Sequence, residues 1–450
     1  MLLLLLRPSV ALLLLATSAS PHAGGASFPP ATPPNEARGM VRLGLGAVDG
    51  HAVCGDGSEA TFYWRNCTAN ADRAPGDKED YCAKGGKNGV EQNIWFVVFE
   101  SAGSCYDSRS CNARRAGTPA LMTSVTQPRS IFPSGALSCF PEENPNYYKS
   151  TMVFVPSCSS DQFLGDAGAA SSRPAFRGAR ILEAVFRRLA RPLAAADVLV
   201  VSGEAGVMRA LHSPRIAALL PRTVALRTVC DGCLLSDAQP LVPVSRQPCS
   251  TDTDCPPAVA MAHAVPFWNA TARFLGADCA DGGCLLTPAM LTLLAPSSGS
   301  TSLIHTDLFD YSQLRALRAW PATAAGSKAA EKYALLHAAV TRQRLLRTGS
   351  TLILAPACDG LTTASGDGRN VSVNGSMLGS FTDKTQYYSV LVAAKNSFGV
   401  EVSSSYADAV YSLATGELPA LAAIDGCAAF DCNRACSDFH QCSRCGALVP

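Results

Sequence analysis

Charge is scarce in this chain, and what there is cancels: 37 Lys and Arg stand against 36 Asp and Glu, together 16% of 450 residues. A balance that close supplies no basic stripe to neutralise phosphates, which excludes nucleic acid and anionic membrane surfaces as expected partners. Long apolar runs are missing too. The most apolar stretch, residues 2–16, is split by Arg7 and Pro8, and neither piece approaches the ~20 residues of a spanning helix. With small residues at Ala16, Ser18 and Ala19 it reads as a secretory leader, residues 1–19, cut near Ala19. No repeat of fixed period is present, so solenoids and propellers are excluded.

Cysteine, by contrast, is plentiful at 19. Free thiols at that density are a liability in an oxidising compartment, so most are expected in disulfides and the odd count leaves at least one over. The tail, residues 426–450, holds Cys427, Cys432, Cys436, Cys442 and Cys445. Zinc would need a second C-x-x-C beside Cys442 and Cys445, and export oxidises such thiols; disulfides and no metal are the expectation. Cys230-Asp231-Gly232-Cys233 is treated alike, against the alternative of a redox motif. Acceptor patterns for N-glycosylation occur at Asn66, Asn269, Asn370 and Asn374 and carry weight because a leader precedes them.

Residues 20–47 are rich in Pro, Gly and Ala and are expected to be a disordered lead-in, with one large domain over 48–425. Short apolar runs suited to buried strands recur at 95–99, 152–156, 198–201, 223–226, 302–305 and 351–354. Helical patterns lie between several of them, at 175–193, 205–220, 258–274 and 329–347. Such alternation predicts an α/β fold, a mostly parallel sheet covered by helices on both faces, with cysteine-stapled excursions.

Several blocks read together resemble one family. Cys54-Gly55-Asp56-Gly57-Ser58 precedes the strand ending at Glu100, and Pro141 to Pro145 leads into Met152 to Asp161 with its Cys158-Ser159-Ser160-Asp161 ending. Farther on come Phe309-Asp310-Tyr311-Ser312-Gln313-Leu314 and Ala355-Pro356-Ala357-Cys358. In this order they resemble the pectin acetylesterase/Notum family of carboxylic ester hydrolases. The resemblance implies an α/β-hydrolase fold, a Ser…Asp…His triad, no cofactor, and removal of acetyl or acyl groups from a polysaccharide or protein. It also implies a disulfide between Cys105 and Cys111.

Carried over position by position, the triad is incomplete. A hydrolase nucleophile stands on a tight strand-to-helix turn flanked by small residues, and here Ser202-Gly203-Glu204-Ala205-Gly206 puts Glu204 at the tip of a turn one residue short. Ser202, the nearest hydroxyl, lacks the small pair on either side. The base position falls on Leu361, which cannot accept a proton, and only His440 follows it. Asp310 keeps its type. His305, on the same strand end, could approach the rim of the site, though a structural role is the plainer reading. Where the family has a Gly-Gly pair feeding the oxyanion site, this chain has Ser101-Ala102-Gly103; Ala205 completes the region, and side chains at the first two positions obstruct close approach. At the start of a helix, Glu204 is also expected to cap the free N–H groups.

Two functions follow. The first is a secreted, catalytically impaired relative that binds a glycan, lipid or lipidated-protein ligand; the second is an active ester hydrolase with a relocated catalytic group. The sequence leaves oligomeric state open.

Overall fold

Buried strands and their helices alternate along the chain. The computed structural model describes residues 39–65, 93–242 apart from scattered positions between 132 and 172, then 249, 255–295, 301–319, 328–348, 352–356 and short pieces between 372 and 424. In order these form β1 (Met40–Gly44), β2 (Thr61–Arg65), β3 (Ile94–Phe99), α1 (Ser108–Gly117), β4 (Ser130–Ile131) and β5 (Thr151–Val155). Next come α2 (Gly178–Leu193), β6 (Val198–Gly203), α3 (Ala205–Leu211), α4 (Pro214–Ala217), β7 (Ala225–Asp231), α5 (Pro257–Trp268) and α6 (Thr287–Leu294). The remainder is β8 (Thr301–His305), α7 (Tyr311–Ala316), α8 (Lys328–Leu346), β9 (Leu352–Ala355), β10 (Ser372–Val373), β11 (Ser376–Met377), β12 (Val392–Lys395), β13 (Glu401–Ser404), α9 (Tyr406–Thr415) and β14 (Ala422–Ile424).

Twelve strands make one sheet in the order β13-β12-β14-β9-β8-β7-β6-β3-β5-β2-β1-β4, and β10 pairs with β11 separately. From β5 through β3, β6, β7, β8 and β9 to β14 every pairing is parallel; antiparallel strands flank this block on both sides. Period-two geometry sends alternate side chains to opposite faces. Trp95, Val97, Leu199, Val201 and Ile304 join one buried cluster with the α2 residues Ile181, Leu182, Val185, Phe186 and Leu189. Phe96, Val98, Val198, Val200, Val229 and Leu303 join the other, under Tyr406, Val410 and Leu413 of α9. Both faces being covered, β3, β5, β6 and β9 carry unbroken apolar runs, and each fully buried Val or Leu contributes about 1.5–3 kcal/mol.

The sheet begins earlier than composition suggests. β1 lies inside the stretch 20–47 expected to be a disordered lead-in, and it pairs antiparallel with β2. Its cause is burial: Met40 and Leu45 are fully enclosed, while the intervening residues are exposed or partly so, and this five-residue strand, paired with β2 on one side and β4 on the other, is hidden in the sequence by its Gly- and Ala-rich surroundings. The helical pattern at 205–220 resolves into two short helices, α3 and α4, because Pro214 restarts the chain after an Ser213 cap whose hydroxyl accepts from the Ile216 N–H.

Five disulfides lie among the described residues: Cys54–Cys158, Cys105–Cys111, Cys230–Cys233, Cys249–Cys255 and Cys279–Cys284. No helix among those residues is long and apolar enough to cross a membrane. Asn269 is exposed and ends α5 in the left-handed conformation, at φ 56°. Asn66, Asn370 and Asn374, the leader and the cysteines of the tail fall outside the described residues.

Candidate functional site

Parallel sheets place their sites at the carboxyl ends of the strands, and register brings several chemistry-bearing residues level there. Gly203 of β6 is opposite Cys230 of β7, Asp231 is opposite His305 of β8, and His305 is opposite Leu354 of β9. Glu204 therefore leaves β6 beside the ends of β7 and β8. Asp310 follows β8, and the segment toward Leu361 leaves β9; Leu361 itself lies outside the described residues.

The turn from β6 into α3 keeps the small residues that a sharp bend needs. A Cβ on Gly203 would press against Val207, and one on Gly206 would sit 2.0 Å from the Gln162 carbonyl oxygen. Its tip, however, is relaxed: Glu204 has φ −77° and ψ 179°, ordinary extended backbone rather than the strained conformation that lifts a nucleophile above the sheet. The expected helix cap is also absent, since the Glu204 side chain makes no capping hydrogen bond to α3. It turns instead into the protein, where the residue is only 6% exposed.

There it meets the loop that follows β3. The Gly103 N–H donates to the Glu204 carboxyl, and Arg114, Asp161 and Glu100 surround it electrostatically. Burial is the largest influence and pushes Glu204 up to about 8, the two neighbouring carboxyls adding to the rise while Arg114 and the Gly103 N–H oppose it. Oε1 of Glu204 has no hydrogen-bond partner. Glu100 behaves alike: burial pushes it up to about 8, its Oε2 accepts from the Ser157 N–H at 2.8 Å, and its Oε1 has no partner.

Arg114 fixes the Ser101-Ala102-Gly103 segment by donating to the Ala102 and Gly103 carbonyls, while its Nε donates to Ser160 Oγ at 2.8 Å. Gly103 takes φ +66°, a conformation that glycine adopts without strain. Below this loop, Ser160, Gln162 and Phe163 all hold positive φ, between 52° and 59°, each of which costs about 1–3 kcal/mol unless neighbours dictate it. The neighbours are evident. Asp161 accepts from Ser159 Oγ at 2.6 Å, from the Phe163 N–H at 3.2 Å and from the Gly178 N–H at 2.8 Å, and the Ser160 carbonyl accepts from the Cys105 N–H. This strap thereby joins the turn at Glu204, through Gln162 against Gly206, to the loop at Ser101-Ala102-Gly103. Burial raises Asp161 to about 6.

Asp310 is buried and caps α7, one carboxylate oxygen accepting from the Gln313 N–H at 3.0 Å and the other from Gln313 Nε2 at 2.9 Å. Gln313 in turn donates to the Leu234 carbonyl and accepts from the Ser236 N–H, tying α7 to the segment after β7. His305 is buried; its Nδ1 lies 2.8 Å from Asp231 Oδ1 and its ring stacks on Tyr406 at 4.3 Å. Ser202 is buried on β6. Sequence reading placed Glu204, Asp310 and His305 on this edge of the sheet, but missed Asp231 as the partner of His305 and the Glu100, Asp161 and Arg114 surround of Glu204. Among the described residues no cluster of His, Cys, Asp or Glu could hold a metal ion.

Comparison with known proteins points one way. The family model described as Pectinacetylesterase matches residues 76–246. The mouse palmitoleoyl-protein carboxylesterase NOTUM is 28% identical over 226 residues, which cover 48% of this chain and 40% of that protein. NOTUM of Drosophila melanogaster is 30% identical over 207 residues, covering 43% of this chain and 28% of that one. The matched region thus spans less than half the length of these curated relatives. A solved structure of the Wnt deacylase Notum from Drosophila superposes with a TM-score of 0.64 at 21% identity, covering 89% of this chain and 99% of that chain; at that identity the likeness is one of fold.

Proposed function

Because the chain belongs to the pectin acetylesterase/Notum family, we propose that it is a secreted α/β-hydrolase-fold protein that binds a glycan, lipid or lipidated-protein ligand without hydrolysing it. The observation that carries this reading is Glu204. At the turn where an acyl hydrolase presents a serine hydroxyl, this chain has a carboxyl that is buried, unstrained and itself takes the Gly103 N–H. A carboxylate attacking an ester would form only an anhydride, and the N–H that should meet a developing oxyanion is engaged.

In this reading Glu204, Asp310 and Leu361 occupy the triad positions, Ser101, Ala102, Gly103 and Ala205 the oxyanion region. Residues 1–19 are removed on export, and residues 426–450 form a disulfide-bonded tail. Export is supported by the five disulfides among the described residues, and a lipidated protein stands among the ligands because the mouse relative bears the name palmitoleoyl-protein carboxylesterase. The test is aryl-acetate hydrolysis by the purified chain; turnover above the uncatalysed rate, abolished by a single substitution, overturns the reading.

A second reading, an active ester hydrolase, has one observation in its favour. Asp231 orients the His305 imidazole through Nδ1, as a triad acid orients its base, and Ser202, Asp231 and His305 alternate onto the same face of the sheet as Val200, Val229 and Leu303. Hydrolysis lost in both Ser202→Ala and His305→Ala would establish it.

A further inference from the structure

We propose that Glu204 holds the carbonyl oxygen of an acyl ester by donating a hydrogen bond to it, so that the site reads the ester it does not cleave; this rests on the non-hydrolytic reading above. Geometry comes first. Glu204 occupies the tip of the β6–α3 turn, at the carboxyl edge of the sheet, and faces the loop at Gly103 rather than the helix it precedes. One contact comes from the Gly103 N–H, and Oε1, buried, has no partner. A buried polar atom left without a partner destabilises the fold, a cost that a ligand placed against it removes.

The surroundings decide what that ligand is. Glu100 faces Glu204 from the end of β3, Asp161 from the strap after β5 and Arg114 from α1. On the β7 and β8 side, Asp231 and His305 are paired with each other, and Asp310 is bound to Gln313. Arg114 is engaged by two carbonyls and a hydroxyl. Glu100 and Glu204, each pushed up to about 8, are uncharged at neutral pH, and Arg114 is committed to its carbonyls and hydroxyl, so these groups give an anionic ligand no cationic partner. Burial above all, with the neighbouring carboxyls adding to it, keeps the Glu204 carboxyl protonated at neutral pH, its value being about 8, and a protonated carboxyl has one O–H to give. A neutral acceptor suits a neutral donor. A buried carboxylic acid can polarise a carbonyl in this way, and here it stands where a hydrolase of this fold would hold the same oxygen by backbone N–H groups.

Two probes that differ only in the carbonyl, methyl decanoate and decyl methyl ether, test the proposal by calorimetric titration of the full chain at pH 6 and pH 9.5. Wild type should bind the ester about tenfold more tightly than the ether at pH 6, and the preference should vanish at pH 9.5 as the donor ionises. Glu204→Gln, whose amide keeps a donor, should retain the preference at both pH values; Glu204→Ala should show none at either. Equal affinity for the two probes in wild type at pH 6, no binding of either, a preference indifferent to pH, or one that survives Glu204→Ala overturns the proposal. Wild-type comparison across pH needs no variant to fold. Decanoate release in the same samples, read by chromatography, would overturn the non-hydrolytic reading instead, and the two failures are therefore distinct.

Discussion

His305 and Asp231 face each other across β8 and β7, with 2.8 Å between Nδ1 and Oδ1, and the imidazole is sealed on its flank by the ring of Tyr406. Burial alone would lower the affinity of His305 for a proton, but the Asp231 bond and charge, with Asp307 adding to them, leave it raised above 6.5. A histidine that holds its proton more tightly folded than unfolded stabilises the fold fully below about pH 6.5, and that contribution is lost as pH rises through the folded value. Between pH 6 and pH 9 the melting temperature of wild type should fall more steeply than that of His305→Asn. Asp231→Ala should cost about 2–3 kcal/mol at pH 6, read by denaturant unfolding; parallel pH profiles for wild type and His305→Asn would show the pair to be indifferent.

Glu204 predicts the opposite of a helix cap. Its proton is bound more tightly in the fold, at about 8, than in the unfolded chain, at 4.5. Stability from this group is therefore complete below pH 4.5 and declines as pH rises to 8, by at most about 1.4 kcal/mol per pH unit. Glu204→Gln removes the decline. The variant should melt several degrees above wild type at pH 8 and close to it at pH 5, and a variant that melts lower at both would restore the capping role.

Asp310 is tied down twice by Gln313, so its effect on stability does not need catalysis. Asp310→Ala should cost about 2 kcal/mol, while Asp310→Ser, which keeps a capping oxygen, should cost about half of that. Chemical denaturation of the two variants side by side gives the answer, and equal losses would point away from the cap.

Much of the fold was legible in the sequence for a physical reason. β3, β5, β6 and β9 are covered on both faces, so each carries a short unbroken apolar run, whereas β7 is interrupted by Arg227 and Thr228 and runs to Asp231, well past the stretch 223–226 expected to hold it. β1, β2 and β14 sit toward the sheet's flanks, and β1 and β14 have only part of their residues buried, which leaves weak patterns. Glu204 and Asp310 were readable because each belongs to a local motif. Asp231 became the partner of His305 only through cross-strand register, 74 residues apart, and the two carboxyls and one guanidinium around Glu204 come from three separate segments. No local pattern encodes such meetings.

Restoring side chains alone should not restore hydrolysis. Glu204→Ser with Leu361→His leaves the relaxed turn at φ −77° and the Ser101-Ala102 segment pinned by Arg114. Groups misplaced by about 1 Å lose roughly two orders of magnitude, and the Gly103 N–H that Glu204→Ser releases stays on a loop held by Arg114. Aryl-acetate turnover by the double variant should stay at background; clear turnover would mean that the turn relaxes into a working geometry once the carboxyl is gone.

The Cys54–Cys158 bond joins residues 104 apart. By loop-closure entropy it is worth about 4.7 kcal/mol, but it has a second effect, on fragments. A protease that cuts anywhere between these two cysteines leaves both pieces covalently attached, with the segment containing β1 still held beside the strap under Glu204. Scission there would be silent on a non-reducing gel and appear as two bands only after a reductant is added, so a nicked molecule would pass for an intact one.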